Sequence, residues 1–185
     1  MSFARITASV AVFVAGCALF AGCATAPSTN AEKQSLQQQA DATLSAMIAR
    51  EPNLRDVTHS SLAYAVFPSI GKGGVLVGGA YGKGILYEGG VATGFVSVEQ
   101  ASIGAQLGGQ SFSELLVLRN PADVSALKSG KYSVGANLGV AVLNTGAEAH
   151  TNFDPNASVF VMPRGGLMVD VSVNGQRIKY QSFNA

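Results

Sequence analysis

The fold turns on GKGGVLVGGAYGKG, residues 71–84, where seven of fourteen letters are glycine and two are the lysines Lys72 and Lys83. Glycine beside lysine has two opposed readings: a loop that wraps phosphate, or strands packed where no side chain fits. A Walker A loop requires Gly-Lys followed by Ser or Thr, because that hydroxyl holds magnesium. Here Gly73 follows Lys72 and Gly84 follows Lys83, so the hydroxyl is missing. The dinucleotide fingerprint requires three glycines at fixed spacing between a strand and a helix, and no such triplet occurs. Glycine within a strand instead suits a sheet that bends sharply or backbones that approach closely, as in closing a small barrel. Gly73, Gly74, Gly78, Gly79, Gly82 and Gly84, with Gly108 and Gly109 downstream, therefore read as architectural.

Outward from this stretch the chain alternates apolar segments with glycine-containing turns. AYAVFP at 63–68 reads as the first strand, followed by segments at 74–81, 84–88, 91–99, 101–107 and 112–118. That spacing predicts consecutive antiparallel strands. NPADVSALKSG interrupts them with a short helix: Asn120 caps it, Pro121 suits its first position, Asp123 lies in its first turn and Gly130 follows its end, with Val124 and Leu127 inward. Further strands are expected at 132–142 and 158–163, around an irregular loop at 144–157. In LMVDVSVNGQRIKY, residues 167–180, Asn174-Gly175 is a preferred two-residue hairpin turn. Counting outward from it sets Val173 opposite Gln176 and Asp170 opposite Lys179.

On the N-terminal side, Leu36, Ala40, Leu44, Met47 and Ile48 recur at helical spacing between Glu32 and Arg50, with Pro52 beyond. The polar face is rich in glutamine rather than in lysine and arginine, which favours packing on the domain over lying on a membrane. A second short helix is expected over 53–62, using Leu54, Val57 and Leu62. The fold class is α+β, mainly β: a small Gly-rich antiparallel barrel or sandwich with N-terminal helices and one short inserted helix.

Residues 1–23, MSFARITASVAVFVAGCALFAGC, join one positive charge at Arg5 to an apolar run and then to small residues before a cysteine. This is the pattern of a secretion signal. FAGC ending at Cys23 resembles a bacterial lipoprotein box, in which cleavage precedes a cysteine that carries diacylglycerol. VAGC ending at Cys17 fits the same box, but cleavage there leaves apolar ALFAGC at the new terminus, whereas a polar segment follows Cys23. The expected organisation is a signal peptide over 1–22, lipidated Cys23 with a flexible tether over 23–31, and one domain over 32–185. By analogy with lipoprotein sorting, Ala24 directs the protein to the outer membrane, facing periplasm or surface.

The 185 residues carry a formal net charge of +1, and loss of residues 1–22 removes Arg5 and leaves zero. No broad field draws in nucleic acid. Beyond Cys23 there is no thiol, hence no disulfide or thiolate metal site. The only imidazoles are His59 and His150; with Asp56 and Asp154 they sketch a metal site, though surface histidine is the preferred reading. GGQSFSE at 108–114 lacks the Gly-x-Ser-x-Gly of a nucleophile elbow. Glu88, Glu99 and Glu114 lie in or beside separate strands, with no context marking a catalytic pair. The chain reads as a binding module, not an enzyme, with no cofactor and no metal.

AYAVFPSIGKGGVLVGGAYGKGILYEGG at 63–90, followed by ASIGAQLGGQSFSELLVL at 101–118, resembles the SYLF domain, and the similarity extends over most of residues 52–181. The resemblance implies lipid binding: eukaryotic members bind phosphoinositides and other acidic lipids, some fungal members also bind actin filaments, and bacterial members are commonly secreted or lipid-anchored. Only Lys33 and Arg50 are basic between Glu32 and Arg50, unlike the basic amphipathic segment of eukaryotic members. Actin enters by family analogy alone. The expected function is that of a lipid-anchored envelope protein binding anionic phospholipid or phosphoinositide-like lipid, retained by lipid at Cys23 and contacting headgroups through Lys72, Lys83 or Arg164. The alternative is a structural or protein-interaction module that docks an envelope protein or wall component.

Overall fold

The computed structural model describes residues 25–74, 77–103, 110–135, 138–143, 156–165, 173 and 175–184. Two helices come first, α1 (Asn30–Arg50) and α2 (Leu54–His59), then β1 (Ala63–Gly74), β2 (Val77–Glu88), β3 (Val91–Ile103) and β4 (Gln110–Leu118). Next come α3 (Pro121–Lys128), β5 (Gly139–Val142), β6 (Ala157–Gly165) and β7 (Arg177–Ser182). The seven strands form one sheet in the order β5-β6-β4-β1-β2-β3-β7. Every neighbouring pair is antiparallel except β5 and β6, which are parallel.

The α+β, mainly β class holds, with its N-terminal helices and one inserted helix. The expected closure does not: among the described residues β5 and β7 remain edge strands, so the sheet is neither a closed barrel nor a sandwich. It is nevertheless strongly curled. Residues 132–134 lie along the edge of β7 away from β3, where Val134 N–H donates to Gln176 O at 2.8 Å and Ser133 bridges Arg177. By Gly139 the chain has joined β5 at the opposite edge. Five residues reach at most roughly 18 Å, whereas a flat sheet of this size would hold its edges roughly 30 Å apart. The sheet must bend until its two edges approach.

The expected breaks within the glycine stretch do not occur. β1 runs to Gly74 and β2 continues unbroken to Glu88, with Gly73 opposite Gly79 and Lys72 opposite Ala80. Two glycines sit at the β1 bulge between Val66 and Ser69. A Cβ on Gly82 would come within 2.7 Å of Ile70 Cγ1, and one on Gly84 would collide with the Val66 carbonyl oxygen. Gly73 differs, since a Cβ there meets nothing within 4 Å. Gly108 and Gly109 lie outside the described residues.

Strand alternation divides the core in two. Phe67, Ile70, Val98, Phe112, Leu116 and Val161 share the inner face with Leu127 of α3. Tyr64, Val66, Ile85, Leu115 and Phe160 face outward, under Ala40 and Met47 of α1 and Leu54 of α2. The periodicity read in α1 is the face it buries: Ala40, Thr43 and Met47 are buried and Leu36, Leu44 and Ile48 pack partly against the same cluster. α1 starts two residues earlier than expected because Thr29 and Glu32 form a reciprocal capping box. α2 is shorter than expected and ends at His59, leaving Leu62 47% exposed rather than inward. In α3 the expected cap is present, Asn120 Oδ1 accepting from Ala122 N–H at 2.9 Å. Gly175 takes a left-handed conformation, with φ +78°; residues 167–172 of the expected hairpin lie outside the described residues, and Arg177 and Ile178 have β3 on one edge and residues 132–133 on the other. Asp170 falls outside the described residues, and Lys179 pairs with Glu99 of β3 at 2.7 Å.

Candidate headgroup-binding surface

The three cations singled out in the sequence occupy different environments. Lys72 stands on β1 opposite Ala80, on the inner side of the sheet, and is only 5% exposed. Lys83 stands on β2 opposite Ser69 and is half-buried on the outer side, eleven residues further along a hairpin. The structure therefore sets Lys72 and Lys83 on opposite faces of the sheet. Arg164, on β6, is exposed, and its guanidinium donates to Pro68 O at 2.5 Å. Pro68 precedes the residue that faces Lys83. Lys83 and Arg164 thus converge on the β1 bulge, and Lys72 does not join them.

Lys83 has a second role that its sequence context did not disclose. Its ammonium donates to Ala26 O at 3.2 Å, while Ser97 of β3 donates through its hydroxyl to Thr25 Oγ1 at 3.3 Å. Ala26 and Pro27 are buried. The segment read as a tether comes to rest on the outer face of the sheet before α1 begins. Phe95, two residues before Ser97, stacks at a tilt on Phe183 with centroids 4.7 Å apart, and the Lys33 ammonium lies 5.8 Å from the Phe95 ring. Phe183 is 38% exposed. Lysine, aromatic ring and the start of the described chain thus share one region.

A separate cleft of about 400 Å³ opens between α1, α2 and the β2–β3 turn, lined by Leu44, Ile48, Arg55, His59, Tyr64 and Gly90 among others. Beneath it Tyr64 stacks on Tyr87 at 5.0 Å. Burial pushes both phenols above their usual range, and the Asp41 carboxylate adds to the effect. Asp56 and His59 lie on α2, and the other half of the sketched metal site, His150 and Asp154, falls outside the described residues. No group of three or more metal-ligating side chains occurs among the described residues.

The expected carboxylates also differ from one another. Glu88 accepts from Thr93 and Lys128, and these two hydrogen bonds hold its carboxyl below the usual range against the opposing effect of partial burial. Glu99 pairs with Lys179. Glu114 is fully buried in the core and bonded to Gln176. The sequence did carry a signal for it: Glu114 alternates with Phe112, Leu116 and Leu118, all inward, in FSELLVL. No helix among the described residues is long and apolar enough to cross a membrane, while Cys17 and Cys23 lie outside those residues.

Residues 99–183 match the family model described as Ysc84, Las17-binding protein actin regulator. The match begins late in β3 and takes in β4, α3 and every later element, while the glycine stretch precedes it. Among curated proteins nothing matches the chain. That match, from late β3 onward, supports the SYLF-domain (Ysc84) family for this part of the chain.

Proposed function

We propose that this SYLF-domain protein is anchored to the bacterial envelope by lipid at Cys23, at the outer membrane, and that its domain binds anionic phospholipid headgroups. The observation that carries this reading is the docking of Thr25–Pro27 on the sheet beside Lys83. Only two residues' length separates Cys23 from Thr25, at most roughly 7 Å of chain. A lipid at Cys23 would hold that region close to the bilayer surface, bringing Lys33, Lys83 and the exposed ring of Phe183 to headgroup level. A lysine beside an aromatic ring suits that boundary, where cations meet anionic headgroups and the ring enters the acyl margin. Arg164 adds a planar fork matched to phosphate. Because acyl chains at Cys23 would supply retention, the domain contacts would supply selectivity.

The test has two parts. Labelled fatty acid should be incorporated by the wild-type chain and by Cys17→Ser, and not by Cys23→Ser. The Cys23→Ser chain should still sediment with anionic vesicles at low salt, and Lys83→Ala with Arg164→Ala should weaken recovery several-fold. Equal recovery on neutral and anionic vesicles would remove the headgroup part of the proposal.

The family description supports a second reading, since it names a protein-binding role. In that reading the domain docks an envelope protein or wall component, and actin remains a family analogy. Cross-linking in intact cells separates the two by what is captured. Either way the proposal is binding rather than catalysis; a His59→Ala/His150→Ala chain with altered phenotype would argue against it.

A further inference from the structure

Glu114 and Gln176 are both 0% exposed, and one hydrogen bond joins them, Gln176 Nε2 donating to Glu114 Oε2 at 3.0 Å. One oxygen on each group, Glu114 Oε1 and Gln176 Oε1, is buried without a hydrogen bond. An ionised carboxylate only accepts, so both oxygens would remain orphaned, at a large desolvation cost. A single proton removes both deficits. A protonated carboxyl is a planar group with one donor and one acceptor, the complement of a primary amide, and the two forks can close two hydrogen bonds. We infer that Glu114 and Gln176 form a proton-dependent latch: the carboxyl keeps its proton, closes a paired hydrogen bond with the amide, and releases Gly175 and Gln176 when that proton leaves.

The position of Gln176 gives the latch its reach. Its side chain grips β4, while its carbonyl accepts from Val134 N–H at 2.8 Å and the neighbouring Gly175 N–H donates to Val134 O at 2.9 Å. The same residue, through its side chain and its backbone carbonyl, therefore ties the middle of the sheet to the segment that carries the chain from the β7 edge towards β5. Val173, Val134 and Ile178 pack in the same inner cluster. Flanking strands bring Phe67 of β1 and Val161 of β6 opposite Glu114. Titratable groups on this face, among the described residues, are Lys72 of β1, Glu88 of β2, Tyr132 and Tyr180, with Lys128 of α3 paired to Glu88. None of them shifts Glu114: burial pushes its carboxyl up to about 7, and only the Gln176 amide pulls the other way. This inference stands apart from the lipid reading.

The sign follows from linkage. The folded chain holds the proton up to about pH 7, whereas a free carboxyl loses it near 4.5. The latch therefore contributes most below the unfolded value, weakens as pH rises between the two, and contributes nothing above the folded one. Glu114→Gln places an amide where the protonated acid stood and keeps the pairing without a titrating group. With the full chain in detergent, the wild-type-to-Glu114→Gln ratio of amide exchange rates at Val134 and Gly175 should rise tenfold or more between pH 5.5 and pH 8. A wild-type-to-variant ratio that stays constant over that range overturns the latch. Should Glu114→Gln fail to fold, infrared spectra of the wild-type chain in heavy water decide: a buried protonated carboxyl band at pH 5.5 that is lost by pH 8.5 supports it, and no such band at pH 5.5 overturns it.

Discussion

The phenol of Tyr87, in β2, donates to a carboxylate oxygen of Asp41, in α1, at 2.5 Å, so a helix and a strand 46 residues apart meet through one charge-assisted bond. In sequence Asp41 is one more polar residue among the glutamines of its helix. A hydrogen bond to a charged group is worth about 1.5–3 kcal/mol, and Tyr87 is 5% exposed. Tyr87→Phe should lower unfolding stability by about 2 kcal/mol in urea titrations while leaving the Tyr64 stacking position filled. Spectrophotometric titration should find Tyr87 still protonated at pH values where free tyrosine has ionised, because burial first and then the Asp41 bond raise its pKa.

Glycines of the 71–84 stretch should separate into two classes. At Gly82 and Gly84 a Cβ would strike Ile70 or the Val66 carbonyl, and overpacking of this kind costs about 1–3 kcal/mol. Gly71 and Gly73 offer open space, so alanine there should be neutral or stabilise by up to about 1 kcal/mol through the unfolded chain. Thermal denaturation of the four single alanine variants should place Gly82→Ala and Gly84→Ala well below the other two.

The start of α1 should depend on Thr29. Its hydroxyl accepts from Glu32 N–H at 3.2 Å, and the Glu32 carboxylate in turn accepts from Thr29 N–H at 3.1 Å and from Ser28. Thr29→Ala should cost about 1 kcal/mol, read as a lower urea midpoint, and Thr29→Ser should restore most of it. The loss should also speed exchange of the first-turn amides, because the cap satisfies donors the helix itself cannot.

Where a pattern is local, it was legible. Helical spacing from Leu36 to Ile48, the Asn120-Pro121 start of α3 and the positive-φ glycine at 175 all depend on residues within one or two turns of one another, and each appears in the structure. The Thr29-x-x-Glu32 cap was equally local and passed unread, which placed the helix start too late. Strand limits were misplaced where glycines suggested turns, because glycine marks both a turn and a close approach, and only the neighbouring strand distinguishes them. The candidate cations were the least legible. Lys72 and Lys83 look equivalent in sequence, yet their odd separation along the β1–β2 pair sends one into the curl and the other outward.

By itself, the chain's order of residues determined the secondary-structure class, the inserted helix, the apolar faces and the kinship with SYLF domains, since alternation, capping and spacing are properties of neighbours. Tertiary structure alone decided how far the sheet bends, that Thr25–Pro27 settle beside Lys83, and that Glu114 meets Gln176 away from water. Those outcomes depend on contacts between residues dozens of positions apart. Burial and hydrogen-bond satisfaction select such contacts only when the whole sheet has curled.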